Sequence, residues 1–320
     1  MRAIVYRHYG PPEVLKCEEI AKPAAADDEV LIKVRAASVN PLDWRLMTGK
    51  PLLGRLMTGG LRKPKLRPGV DVAGRIEAVG KRVTQFKPGD EVFGNCRGAF
   101  AEYACTKESA LALKPRNSTF EEAASVPVAA FTALQGLRTT AALQPGHRVL
   151  INGAAGGVGT FAVQIAKWLG AEITAVCSTR NVDMVRSIGA NHVIDYTQED
   201  FTTRIERYDV IFDCVGNHTF SECRRVLAAN GKVVVVGTSK EVSTIDILGS
   251  MVKTLVSPSV TMVMARRSQK DLNILRDLIE NGTIKPVIDK RYRLCETQQA
   301  MRYAAEGHVR GKVVITVAMT

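Results

Sequence analysis

The stretch RVLINGAAGGVGTFAVQIAKWLGAEITAVCSTR, Arg148 to Arg180, decides the fold. Arg148 to Asn152 is a short apolar run rich in β-branched residues, the pattern of a buried strand. Gly153 to Gly159 is a glycine-rich turn, Thr160 to Leu169 has a helical pattern closed by Gly170, and Glu172 to Cys177 reads as a second strand. A glycine-rich turn alone carries little information. Placed between a strand and a helix it makes an anion site, because residues without Cβ let the backbone approach a pyrophosphate and the helix start points unpaired N–H groups at negative charge. Ala155, Gly156, Gly157 and Val158 are therefore candidate dinucleotide contacts.

The end of the second strand discriminates between cofactors. An NAD site places Asp or Glu about 20 residues past the glycines, on the ribose 2′-hydroxyl. Here Ser178-Thr179-Arg180 stands in that place. A carboxylate repels a 2′-phosphate, whereas a guanidinium and two hydroxyls bond to it, at about 1.5–3 kcal/mol for each charge-assisted bond. The expectation is NADPH rather than NADH.

Working outward, 320 residues suffice for two domains. No apolar run reaches the roughly 18 residues a spanning helix needs, and residues 1–20 lack a signal-peptide pattern, so a cytoplasmic, non-membrane protein is expected. Cys17, Cys96, Cys105, Cys177, Cys214, Cys223 and Cys295 are scattered without a C-x-x-C pair, which reads as reduced thiols and no structural zinc cluster. The net charge of +12 raises nucleic acid as a partner. Its positives are spread among acids except at Arg55, Arg62, Lys63, Lys65 and Arg67, so a solvated basic loop is the plainer reading and an RNA-binding role the weaker one.

The amino-terminal third is differently built. Arg2 to Tyr6, Val14 to Ile20 and Glu29 to Ala37 read as antiparallel strands around a Gly10-Pro11-Pro12 turn. Ser38 to Arg45 turns into a short helix that Asp43 is placed to cap. Arg45 to Gly49 recurs as Arg55 to Gly59, read as a mobile flap. Gly69–Gly80, Phe86–Gly94 and Gly98–Ala104 resume the strand pattern, with glycines suited to a tightly turning barrel. Beyond Arg180 come further βα repeats. Asp209 to Gly216 and Gly231 to Thr238 are apolar runs ending in glycine, as parallel strands do at a ligand crevice, which singles out Cys214, Val215, Val236, Gly237 and Thr238. Ser259 to Met264 is a last strand, two helices follow, and Gly311 to Val317 returns to the barrel.

Ser38–Trp44, Gly69–Gly80, Lys87–Gly94, Gly98–Tyr103, Pro127–Gly136, Asn152–Gly159 and Gly311–Ile315 together resemble the medium-chain dehydrogenase/reductase superfamily, in its zinc-free quinone oxidoreductase-like branch. The resemblance implies an α/β protein with a GroES-like β-barrel domain (1–123), a Rossmann doubly wound parallel-sheet domain (124–265) and a carboxy-terminal return (266–320), with the active site in the cleft between domains. It places Thr132 near the nicotinamide, Tyr196 beside the adenosine phosphate, and His308 to Lys312 over NADPH, with Arg310 and Lys312 facing phosphate or solvent. Where zinc-dependent relatives carry a catalytic Cys this chain has Asn40; where they carry Gly-His-Glu it has Gly69-Val70-Asp71; the third ligand falls near Val128. Amide and apolar side chains hold Zn²⁺ poorly, so no metal is expected. The resulting expectation is zinc-independent, NADPH-dependent hydride transfer to a quinone or an α,β-unsaturated carbonyl compound. Asn40 would donate a hydrogen bond to the nicotinamide or the acceptor oxygen, and a homodimer is possible. The rivals are NADP-dependent alcohol or ketone chemistry and a non-catalytic NADPH- or RNA-binding protein of the same fold.

Overall fold

The computed structural model describes residues 1–50, 55, 64, 67–236 and 259–317. Gly237, Thr238, most of the basic stretch 55–67 and most of the second copy of the five-residue repeat lie outside the described residues. The chain divides into two units, Met1–Val128 with Arg267–Thr320, and Ala129–Arg266.

The first unit is organised on β3 (Glu29–Ser38), whose apolar residues are needed on both sides. It pairs antiparallel with β4 (Asp71–Val79), β6 (Tyr103–Lys107) and β15 (Lys312–Thr316). With β5 (Glu91–Asn95), β7 (Leu111–Leu113) and β14 (Ile288–Arg293) these form a seven-stranded sheet, while β1 (Arg2–Val5) pairs with β2 (Lys16–Glu19). Two register shifts between β3 and β4 curl the sheet. Gly74 permits the close crossing there, since a Cβ would lie 2.3 Å from the Lys33 carbonyl oxygen. Val30, Ile32, Val34 and Val72 share one core with Met301, Val313 and Ile315 from the carboxy-terminal piece. Burying each such side chain is worth about 1.5–3 kcal/mol, so the last strand is part of this unit's stability. Among the described residues, the helices of this unit are α1 (Pro41–Thr48), α2 (Phe120–Ala124), α7 (Gln269–Glu280) and α8 (Thr297–Ala305).

Three local expectations are corrected. The strand expected from Val14 starts at Lys16, because Pro12–Val14 forms a 3₁₀ turn in which Pro fixes φ. Gly98 to Phe100 is a turn rather than a strand, and Ala101 makes an isolated bridge to Ala3: Gly98 has φ +81°, and Gly98 N and Ala99 N both bond to the Gly69 carbonyl. Cys17 and Cys295, expected to be reduced thiols, form a disulfide across 278 positions, joining β2 to the turn before α8. The spacing of single cysteines gives no hint of it, because the fold brings together chain ends that sequence distance separates.

In the second unit β8 (Arg148–Asn152), β9 (Glu172–Cys177), β10 (His192–Asp195), β11 (Tyr208–Asp213), β12 (Leu227–Val235) and β13 (Val260–Met262) lie in the order β10-β9-β8-β11-β12-β13, every pair parallel. That is the Rossmann order, with its reversal between β8 and β11. α3 (Pro127–Gln135), across whose start the division between units falls, α4 (Gly157–Trp168), α5 (Val182–Ser187) and α6 (Phe220–Arg224) complete the helices described. Pro127 stands at N1 of α3, where its missing N–H costs nothing, and breaks the helical pattern that begins at Phe120. α4 is buried from Gly159 to Ala166, as a helix lying flat on a sheet requires.

Candidate nucleotide site and buried polar cluster

The reversal of strand order leaves a crevice at the carboxyl ends of β8 and β11, and side chains from both ends close its floor. Asn152 Nδ2 donates to Asp213 Oδ1 at 2.9 Å and to Asn217 Oδ1 at 2.9 Å. Asp213 Oδ1 also accepts the backbone N–H groups of Val215 and Gly216, each at 2.9 Å. The Asn152 and Asp213 side chains are almost fully buried. Sequence reading misses both residues, although a polar residue ending each of two neighbouring apolar strands is the available signal.

The glycine turn rises from this floor. Gly153 has φ +78°, a conformation glycine takes without strain. A Cβ on Gly159 would lie 2.1 Å from the Gly153 carbonyl oxygen, so glycine is required there for the turn to pack on α4. Gly156 differs: a Cβ would meet only the Gly153 oxygen, at 3.4 Å. Its bareness serves no internal packing and leaves open space at the cap of α4. That first turn has no side-chain cap and no acidic residue, so its N–H groups face the space unneutralised. These residues fit a pyrophosphate.

β9 and β10 bring the 2′-phosphate candidates together. Asp195 is in register with Cys177, and Tyr196 N donates to the Cys177 carbonyl at 3.0 Å, setting Tyr196 next to Ser178. Thr179, Arg180 and Tyr196 are exposed, and Ser178 is half-buried. Thr179 is not a free donor, because its hydroxyl donates to Asp195 Oδ2 at 2.5 Å. That bond, with further bonds from Thr197 and Gln198, holds the Asp195 carboxyl below its usual range. A cavity of about 630 Å³ nearby is lined by Asp183, Asp195 and Glu199 against Arg186, so its charge suits no anion. Among the other candidates of this unit, Thr132, Cys214 and Val236 are half-buried and Val215 is exposed. The Cys214, His218, Cys223 group is not a metal centre: Cys223 lies in the core and the His218 ring packs edge-on against Phe201 at 4.6 Å.

In the barrel unit the conspicuous feature is a buried cluster of charges. Asp71, at the start of β4, is fully buried. Its Oδ2 accepts Ser38 Oγ at 2.8 Å and Asn40 Nδ2 at 2.9 Å, and its Oδ1 accepts Asn95 Nδ2 and Val128 N, both at 3.0 Å. Lys312 Nζ donates to Asn40 Oδ1 at 2.6 Å and to the Val39 carbonyl at 3.2 Å, and lies 3.7 Å from Asp71 Oδ2. Asp43 accepts Asn40 N at 2.9 Å and Gly69 N at 3.2 Å. Asn40 therefore occupies the cap of α1, and Asp43 closes it from the first turn rather than capping it. Burial pushes the Asp71 carboxyl up and the Lys312 ammonium down, each opposed by the other. Burial, and then the charge of Asp71, push the Asp43 carboxyl up to about 7. Two carboxylates facing one ammonium leave a surplus negative charge, which a proton on Asp43 removes.

One site expectation needs correction here. Lys312 does not face phosphate or solvent: it is 3% exposed, with its ammonium spent on Asn40 and Val39. The alternation of β15 turns it into the cluster, a direction its neighbours in sequence do not reveal. The Asn40 Nδ2 is held by Asp71 at 2.9 Å and, more loosely at 3.3 Å, by the Ser38 carbonyl. His308 and Arg310 are exposed in the turn before β15, and the Arg310 backbone N–H is tied to Asp289.

Comparison with known proteins agrees with this architecture. Residues 26–116 match a family model described as an alcohol dehydrogenase GroES-like domain, and residues 188–315 one described as a zinc-binding dehydrogenase. The chain is 34% identical to the chloroplastic NADPH-dependent alkenal/one oxidoreductase of Arabidopsis thaliana, over 98% of this chain and 79% of that protein. It is equally, 34%, identical to the chloroplastic quinone-oxidoreductase QR1 of Triphysaria versicolor, over 98% of each. The solved quinone oxidoreductase of Escherichia coli complexed with NADPH superposes with a TM-score of 0.85 at 26% identity, covering 99% of this chain and 100% of that one.

Zinc, which the second family description implies, does not fit this donor set. Val70 and Val128 offer no donor atom, and the Asn40 oxygen, at 2.6 Å from Lys312 Nζ, already faces a cation. With a parallel sheet in Rossmann order, a curled GroES-like sheet and relatives matching end to end, the chain belongs to the medium-chain dehydrogenase/reductase superfamily, in its quinone oxidoreductase-like branch.

Proposed function

We propose that this protein is an NADPH-dependent oxidoreductase acting on quinones or on α,β-unsaturated carbonyl compounds. The observation that carries the reading is the glycine turn on the strand reversal, with open space at Gly156, in a chain 34% identical to a relative named for NADPH-dependent alkenal/one reduction. NADPH, when bound, supplies a hydride from nicotinamide C4 to an electron-poor carbon of the acceptor.

The chain's residues bind and orient. The backbone of Ala155, Gly156, Gly157 and Val158 takes the pyrophosphate, and Ser178, Arg180 and Tyr196 take the adenosine phosphate, while the Thr179 hydroxyl stays on Asp195. Thr132, Cys214, Val215 and Val236 line the remainder of the nucleotide. Asn40 holds the acceptor oxygen by giving up its long bond to Ser38, and so stabilises the charge that develops there. Asp43, with its carboxyl pushed up to about 7, is a proton reservoir beside it.

The decisive experiment is an NADPH-consumption screen across quinones, 2-alkenals, alcohols and ketones, with metal analysis of the same preparation. Turnover of the first two classes without stoichiometric zinc is expected; turnover confined to alcohols or ketones would overturn the reading. A homodimer completes it. Support for the dimer is β13, half-buried at one end of the described sheet with Met264 72% exposed beyond it. A monomeric mass by light scattering would refute that part.

A further inference from the structure

A carboxamide has two ends of nearly equal shape and opposite polarity, so its orientation is decided by what its neighbours donate or accept. An ammonium only donates, and an ionised carboxylate only accepts. Lys312 Nζ stands 2.6 Å from one end of the Asn40 amide, and Asp71 Oδ2 stands 2.9 Å from the other. The first end must be oxygen and the second nitrogen. A flipped amide would set N–H groups against the ammonium and a carbonyl against the carboxylate.

We propose that Lys312 and Asp71 are a positioning pair that fixes the Asn40 amide, so that the Nδ2 hydrogen now resting on the Ser38 carbonyl is the one offered to the acceptor oxygen. The inference rests on the role of Asn40 proposed above and names the residues through which that role is set. Each member of the pair is itself anchored. Asp71 is held through its other oxygen by Asn95 and the Val128 backbone. Lys312 is held through strand pairing, since β15 runs beside β3 with Val314 opposite Ser38 and Val39 N bonded to the Val313 carbonyl at 2.9 Å. Neither member is free to follow the amide, so the amide follows them.

The pair also explains its own burial. Asn40, Asp71 and Lys312 are each 3% exposed or less, and a lone charge in such a place is costly, whereas the pair satisfies both. Removing one member tests mainly stability; removing both tests orientation. The experiment therefore compares wild type, Lys312→Met, Asp71→Asn and the double variant.

The expected result is that the double variant regains most of the thermal midpoint that the single variants lose. Its kcat with a 2-alkenal stays about 10–100-fold below wild type, the range that misplacement of a reacting group produces. NADPH affinity, read by nicotinamide fluorescence, stays unchanged. A double variant with wild-type kcat would overturn the proposal and leave the pair a purely structural one. A second readout does not depend on turnover: the nitrogen-labelled side-chain amide of Asn40, assigned by its loss in Asn40→Ala, should exchange slowly with solvent in wild type and fast in the double variant. A wild-type amide exchanging like an exposed asparagine would overturn the proposal with no variant needed. A slow amide in a protein that reduces no acceptor would remove only the chemistry proposed for Asn40 and leave the positioning pair standing.

Discussion

The two units of this chain arrange charge by opposite means. In the nucleotide unit the work falls to backbone: a positive φ at Gly153, a helix start without acids, and the empty space at Gly156. In the barrel unit it falls to side chains, with Asp43, Asp71 and Lys312 buried around Asn40. A backbone site is built within one short stretch and tolerates change in whatever surrounds it. A side-chain cluster draws on residues up to 272 positions apart and depends on every charge being answered.

The sharpest way to break that contrast is Asp71→Ala, which leaves Lys312 buried without its carboxylate. It should cost about 3–5 kcal/mol in urea unfolding. A loss within the scatter of surface substitutions would mean that the cluster is hydrated and not a buried network. Next comes pH. Asp43 has a folded value of about 7 against an ordinary 3.8, so it binds more protons folded than unfolded between those values. Its contribution is present below pH 3.8 and is lost as pH rises through 7, with a slope of about −1.4 kcal/mol per unit. The difference between wild type and Asp43→Asn, measured across that range, should show this slope; a difference independent of pH would show that Asp43 is ionised throughout.

Two glycine variants test the backbone half. Gly159→Ala must displace backbone and should cost about 1–3 kcal/mol of stability. Gly156→Ala should leave stability within about 0.5 kcal/mol, yet raise the Kd for NADPH about tenfold by filling the cradle. Unchanged affinity would place the phosphates elsewhere. Arg180→Ala is the mildest: about a tenfold rise in KM for NADPH and little for NADH is expected. Equal effects on both cofactors would refute the 2′-phosphate assignment.

The same contrast governs which features are legible in the amino-acid sequence. The turn from Gly153 to Gly159, the parallel order that follows and the antiparallel start are legible because each rests on periodicity, glycine placement or strand propensity over neighbouring residues. Asn40 is legible as a position of interest. Its partners are not, and Lys312, expected to face phosphate or solvent, points inward. The disulfide between Cys17 and Cys295 and the floor formed by Asn152 and Asp213 are likewise hidden, since each joins residues from separate strands or turns.

Local chemistry in the sequence thus determined the strand–turn–helix unit and its glycine-lined helix start, because these depend on residue types at short spacing, whereas the poor fit to zinc was read from the family resemblance at Asn40, Val70 and Val128. Only tertiary structure decided that Lys312 meets Asn40 and Asp71 and that the amide between them has one orientation. The reason is physical: hydrogen-bond polarity and the cost of burying charge act through space, and strand pairing between the two ends of the chain is what brings those groups within reach.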